Sequence, residues 1–330
     1  MNQPNIISLF RCTERKYAES FCKKGNMKLN TPGSWIEIEK KEGKGRGDLL
    51  EGVCASVHKD DILVLAQLKD IRENICGETI NNITYLRSKD ILSFPSCCFF
   101  GLDKNDFSDI SIDEEGIKHY TNTVTQKYFK DFSNNNTKES ASELPKDEQP
   151  TLVIITNPNE FFKRIIDYFI KLGLKREEIL INPVKYIDKT QGFYSPKEVY
   201  PRELFLKDIS FAYQREVRVV INTKNKKVLK ELSTKNNIIN IGDLSDITHI
   251  EEFYYDKDML MEKRGNRLLY VLSEPKTFPL EDLSKEELLA LVHQITNEDI
   301  RKLSKHGIET NEQIMDIVNE IEKILRSKYN

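Results

Sequence analysis

One short run constrains the fold more than any other part of the chain: residues 211–221, Phe-Ala-Tyr-Gln-Arg-Glu-Val-Arg-Val-Val-Ile. Its β-branched residues and its period of two predict a strand. Side chains alternate across a strand, so Gln214, Glu216 and Arg218 are expected on one face and Tyr213, Val217 and Val219 on the other. A carboxylate fixed on a rigid strand, with a polar neighbour two residues away, is a layout that glycosidic-bond chemistry can use.

The rest of the chain supplies an α+β context for that strand. Residues 6–12 read as a strand, and Thr13 is expected to cap a helix over 14–24 that Gly25 stops. Residues 26–30 return as a second strand. Thr31-Pro-Gly-Ser-Trp35 is expected to be a turn, and the segment 39–52, with four glycines and many charges, a mobile loop. A weakly patterned helix is expected over 59–74 and a buried strand over 91–102. Residues 131–150 are rich in Asn, Ser, Lys and Glu and read as a solvated insertion. Then follow a strand over 151–156, an amphipathic helix over 159–172 ended by Gly173, and a strand over 179–186. Beyond Pro275 the pattern becomes helical, with capped helices expected over 282–294, 297–306 and 311–328. Two domains follow: an α+β domain over 1–275 and a helical appendage over 276–330.

Bulk composition excludes several classes. With 330 residues, 31% charged, 38% hydrophobic and a net charge of −3, the chain suits a soluble globular protein rather than one coated by nucleic acid. No long apolar run spans a membrane, and the first residues carry no secretory pattern, so a cytoplasmic protein is expected. The six cysteines and five histidines show no metal-ligand spacing, and reduced thiols with no metal are expected.

Three pieces of this chain also resemble a bacterial family of unknown function: Leu9-Phe10-Arg11 on the first strand, the Thr31-Pro-Gly-Ser34-Trp35 segment, and Lys207 followed by Gln214-Arg-Glu216-Val-Arg218. Their order is similar to that of the ADP-ribosyltransferase-like fold, a split mixed or antiparallel sheet with flanking helices. The resemblance implies NAD as substrate, Arg11 on its pyrophosphate, and Glu216 as the catalytic carboxylate. Gln214 would orient the acceptor, and Thr31 or Ser34 would hold the nicotinamide-side ribose. Phe10, Trp35 or Tyr213 would stack on a ring. The Ser-Thr-Ser motif of such enzymes is not present as such.

The residue types suit that chemistry. Cleaving the nicotinamide–ribose bond develops positive charge on the sugar, as in glycoside cleavage, and a carboxylate shielded from water stabilises it. An arginine fork matches a pyrophosphate better than an ammonium does. Plainer readings stand beside these. Glu216 also fits a solvated sheet face with weak cross-strand ion pairs, and Pro-Gly makes turns without any ligand. The glycines from Gly43 to Gly52 match no phosphate-loop pattern. Asp48 and Glu51 could line a site, though acidic residues beside glycines are ordinary in loops, and the lysines of 224–235 fit a solvated hairpin or loop.

Two functional expectations result. One is an NAD-dependent ADP-ribosyltransferase acting on a protein or nucleic-acid acceptor, as a bacterial toxin or anti-phage defence effector. The other is a non-catalytic nucleotide- or nucleic-acid-binding module whose segment 276–330 docks a partner or a second copy.

Overall fold

The structure is a computed structural model that describes residues 6–43, 47–61, 74–103, 109–112, 118–124, 128, 131–132, 138–194, 201–253, 258–264 and 267–273, with isolated positions at 285, 289, 321 and 323. The chain is α+β, and its sheets are antiparallel apart from one short parallel pair. It divides into two units, Met1–Phe107 with Tyr128–Tyr255, and Ser108–Lys127 with Asp256–Asn330.

In the first unit, β1 (Ile6–Glu14) leads directly into α1 (Arg15–Lys24). Thr13 does not cap this helix. The strand runs on through Glu14, which makes no side-chain cap. The amides of Arg15 and Lys16 instead donate to the carbonyls of Gln149 and Asp147, so these first-turn N–H groups are satisfied by neighbouring backbone. Gly25 ends the helix at φ 61°, the left-handed region where glycine carries no side-chain penalty. β2 (Asn26–Lys28) follows.

The expected turn at Thr31–Trp35 is instead the first turn of α2 (Pro32–Glu42). Thr31 Oγ1 accepts from the Ser34 amide at 3.1 Å, and Ser34 Oγ accepts from the Thr31 amide at 2.9 Å. This is a reciprocal capping box with proline at the first helical position, where its missing N–H costs nothing. Of the expected loop over 39–52, residues 39–42 are helical, and Asp48 and Glu51 are buried.

The remaining elements of this unit are β3 (Val53–His58), β4 (Ile75–Ile80), β5 (Ile83–Ser88), β6 (Ser96–Asp103), α3 (Lys138–Ser142), β9 (Pro150–Ile155), α4 (Pro158–Lys171), β10 (Ile179–Pro183), β11 (Lys185–Ile187), β12 (Phe193–Tyr194), β13 (Leu206–Asp208), β14 (Glu216–Ile221), α5 (Lys226–Thr234), β15 (Ile238–Asn240) and β16 (Thr248–Glu252). Two expected strands are shorter than their patterns. Residues 90–93 form a 3-10 turn before β6, and 179–187 breaks at Val184 into β10 and β11. Most of the expected helix over 59–74 lies outside the described residues, as do the C-terminal helices.

The main sheet has the order β10-β14-β6-β1-β9-β16. Leu9, Phe99, Val153, Ile155, Val217 and Val219 line one face, beneath Phe21 of α1, Phe161 and Phe169 of α4, and Leu232 of α5. The period-2 alternation of these strands puts Phe10, Phe100, Glu216 and Arg218 on the opposite face. Pairing is incomplete in the middle of the sheet. β1 and β6 are in register from Ile6↔Asp103 to Phe10↔Phe100 and no further. Past that point β1 stays with β9 as far as Glu14, while β6 stays with β14 as far as Ser96. The sheet therefore splits between Arg11–Glu14 and Ser96–Phe99. Asn30, just beyond β2, bridges to Ser96 on the free edge of β6.

The second unit contains β7 (Asp109–Ile112), β8 (Lys118–Val124), β17 (Asp258–Arg264) and β18 (Arg267–Ser273), an antiparallel sheet of order β18-β17-β8-β7. Among the described residues, no helix is long and apolar enough to cross a membrane.

Candidate functional site: a cleft in the split sheet

The strand expected over 211–221 begins only at Glu216. Residues Ile209–Gln214 form a 3-10 helix, and Arg215 takes the left-handed conformation at φ 41° before the chain extends. Gln214 is thus not on the strand, yet its side chain still shares one buried cationic group with Glu216.

That group is Lys207, on β13. Its ammonium donates to Gln214 Oε1 and to Glu216 Oε1, both at 2.5 Å. Arg218 Nη2 donates to Glu216 Oε2 at 2.7 Å. Arg218 also faces Glu51, with Nη1 to Oε1 at 2.5 Å and Nη2 to Oε2 at 3.4 Å, and lies 4.8 Å from the Trp35 ring. Behind this set, the Lys189 ammonium donates to the Leu50 carbonyl at 2.7 Å and pairs with Asp48 at 3.5 Å. Three cations and three carboxylates are thereby buried together. Buried charge is tolerated only when paired and hydrogen-bonded, and each of these is paired.

The electrostatics follow from the pairing. Burial alone would push the Glu216 carboxyl up, but Lys207 and Arg218 outweigh it and hold it at about 2. Burial pulls the Lys207 ammonium down, and Glu216 and Glu51 more than reverse that, so it stays protonated. Burial raises the Glu51 carboxyl against the pull of Arg218 and lowers the Lys189 ammonium. Glu216 is therefore a permanent anion near neutral pH, not a proton donor.

The split in the sheet opens a cleft of about 160 Å³. Arg11, Cys12 and Lys28 line it from the β1 side, and Lys207, Gln214, Glu216 and Arg218 from the β14 side; Trp35 and Glu51 line it too. Arg11 Nη1 is buried with no hydrogen-bond partner among the described residues, and the guanidinium lies 5.8 Å from the Phe99 ring. Aromatic rings complete the lining: Phe100 and Tyr128 lie 4.5 Å apart, and Tyr128 and Phe132 4.8 Å apart.

The residues singled out in the sequence divide accordingly. Arg11, Trp35, Gln214 and Glu216 share the cleft. Thr31, Ser34, Phe10 and Tyr213 do not line it. The hydroxyls of Thr31 and Ser34 are consumed in capping α2. Phe10 is buried edge-to-face on Phe100. Tyr213 donates its hydroxyl to Asp131 and accepts from Gln214 Nε2. Trp35 covers Arg218, which anchors its ring in the cation pair.

Lys207, Lys28, Tyr128 and Phe132 line the cleft without any sequence pattern that assigns them to it. One signal was readable: Arg218 is a charge inside the aliphatic run Val217–Ile221, which requires a buried counter-charge. The identity of that partner was not readable. All six cysteines are free thiols, with burial pushing Cys97 up to about 12. Among the described residues no group of His, Cys, Asp or Glu is placed to hold a metal ion.

No family model, curated protein or solved structure matches the chain. The functional reading therefore stands on the cleft alone.

Proposed function

We propose that the cleft binds the nicotinamide-ribosyl end of NAD and that Glu216 promotes transfer of ADP-ribose from it. One observation carries this reading: Arg11 of β1 and Glu216 of β14 line a single cleft, opened where β1 and β6 stop pairing. The volume, about 160 Å³, compares with the roughly 150 Å³ of an apolar protein cavity that holds benzene, so the cleft takes one ring of that end and the rest of NAD extends outside it. Phe100, Tyr128 and Phe132 offer apolar surface for such a ring.

In this reading Arg11 takes the phosphates through its unpartnered Nη1. Glu216 accepts a hydrogen bond from a ribose hydroxyl through its remaining lone pairs. As the C1′–nitrogen bond breaks, its electron pair leaves with nicotinamide, and the carboxylate faces the positive charge left on the sugar. The acceptor oxygen or nitrogen bonds to C1′ and releases its proton. Consumption of NAD in this way would suit a toxin or anti-phage effector, an analogy that rests on the motif resemblance and on the chemistry.

A second reading, a nucleotide-binding module without turnover, is favoured by a specific observation: both Glu216 oxygens already accept bonds from buried cations. Release of nicotinamide from NAD, compared between the natural chain and Glu216→Gln, separates the two. Release lost in the variant supports the transferase. Thermal stabilisation by NAD with no nicotinamide released supports the module. Equal release from both proteins removes Glu216 from the chemistry.

A further inference from the structure

The cleft also bears on what receives the ADP-ribose, and this inference rests on the NAD reading above. In the enzymes that the Gln-x-Glu motif resembles, the leading residue would address the acceptor. Here that residue, Gln214, is 0% exposed. Its amide oxygen is held by Lys207 at 2.5 Å and its amide nitrogen donates to Tyr213 at 3.3 Å. Both ends of the amide are committed, so Gln214 has no free end with which to orient an incoming side chain.

Access is equally restricted beside Glu216, which is 7% exposed. A nucleophile must reach C1′ from alongside this carboxylate. The cleft offers about 160 Å³, and beside a ring-sized occupant water, at roughly 30 Å³ per molecule, is the smallest nucleophile to accommodate. An arginine, serine or nucleotide base carried on a macromolecule would have to bring its own backbone to a carboxylate that is almost fully covered.

We infer that water is the acceptor, and that the cleft hydrolyses NAD to ADP-ribose and nicotinamide. The C1′–nitrogen bond breaks and its electron pair goes to the nicotinamide ring. Water oxygen bonds to C1′ and its proton passes to solvent. No oxidant, reductant or further co-reactant is required. Glu216 is held ionised by Lys207 and Arg218, so it acts on the charge of the sugar and does not need to take the proton.

The test uses the full chain, NAD labelled in its adenosine half, and cell extract supplying protein and nucleic acid. Nicotinamide and free ADP-ribose should appear one for one, with label in acid-precipitated material at background. A second arm replaces part of the water with alcohols of rising size. Methanol should yield methyl ADP-ribose, and the share trapped by 1-propanol should fall about tenfold or more, as a confined site discriminates between added methylenes. Label recovered mainly in protein or nucleic acid, or equal trapping of methanol and propanol, overturns water as acceptor while leaving NAD cleavage intact. No nicotinamide released under any condition overturns this inference together with the reading it rests on.

Discussion

Arg218 and Glu51 lie 167 residues apart in the chain and meet in a two-pronged ion pair, at 2.5 and 3.4 Å, with each side chain 1% exposed. The pair ties the glycine-rich segment before β3 to the centre of the main sheet. It explains why Glu51 is not an ordinary loop acid: it holds Arg218, which in turn holds Glu216, while Asp48 is buried against Lys189.

Removing one side of that pair should be costly. Glu51→Gln leaves the Arg218 charge buried against a neutral amide, which costs about 3–5 kcal/mol when a buried pair is broken from one side. Urea unfolding measures it directly. A loss below about 1 kcal/mol would show that solvent reaches the pair and that the cluster is not closed.

Acid should weaken the protein through Glu216. Its folded value, about 2, lies below the 4.5 of an unperturbed glutamate. The stability this contributes is present above pH 4.5 and is lost as pH falls through 2. The depression corresponds to about 3 kcal/mol. The stability difference between the natural chain and Glu216→Gln should therefore shrink steadily between pH 5 and pH 2. A difference independent of pH over that range contradicts the ion-pair account. Glu51, raised by burial, works in the opposite sense above pH 4.5, so only the comparison with the variant isolates Glu216.

Thr31→Ala should lower stability by about 1 kcal/mol, the usual cost of losing a helix cap, and leave the proposed NAD turnover unaffected. Melting curves and nicotinamide release, measured on the same preparation, separate the two effects. A fall in turnover larger than the fall in folded fraction would return Thr31 to the ligand.

Gly25→Ala tests the joint between α1 and β2. At φ 61° an added Cβ would sit 2.3 Å from the Gly242 carbonyl oxygen, so both the dihedral and the backbone opposite resist it. The expected loss is about 1–3 kcal/mol. An unchanged melting temperature would mean that the two backbones part at no cost.

Much of this architecture was legible in sequence where local physics decides it. The strand–helix–glycine order of residues 6–25, the β9 run and the amphipathic helix α4 are set by periodicity and stop residues within ten or fifteen positions. Thr31-Pro was misleading, because the same residues that make a turn also cap and start a helix, and only the continuation to Glu42 distinguishes them. The alternation over 211–221 concealed the left-handed Arg215, since a pattern of side chains does not register one reversed backbone dihedral. The cleft was half legible. Arg11 and Glu216 could be proposed as partners, but Lys207, Glu51 and the rings of Tyr128 and Phe132 reach it through contacts that no local pattern encodes.

The six buried charges carry a consequence for how this molecule can diverge. With Asp48, Glu51 and Glu216 set against Lys189, Lys207 and Arg218, any single charge-altering change leaves an odd ion in a buried cluster. Descendants of this chain should therefore alter these positions in couples, an acid and a base replaced together, or not at all.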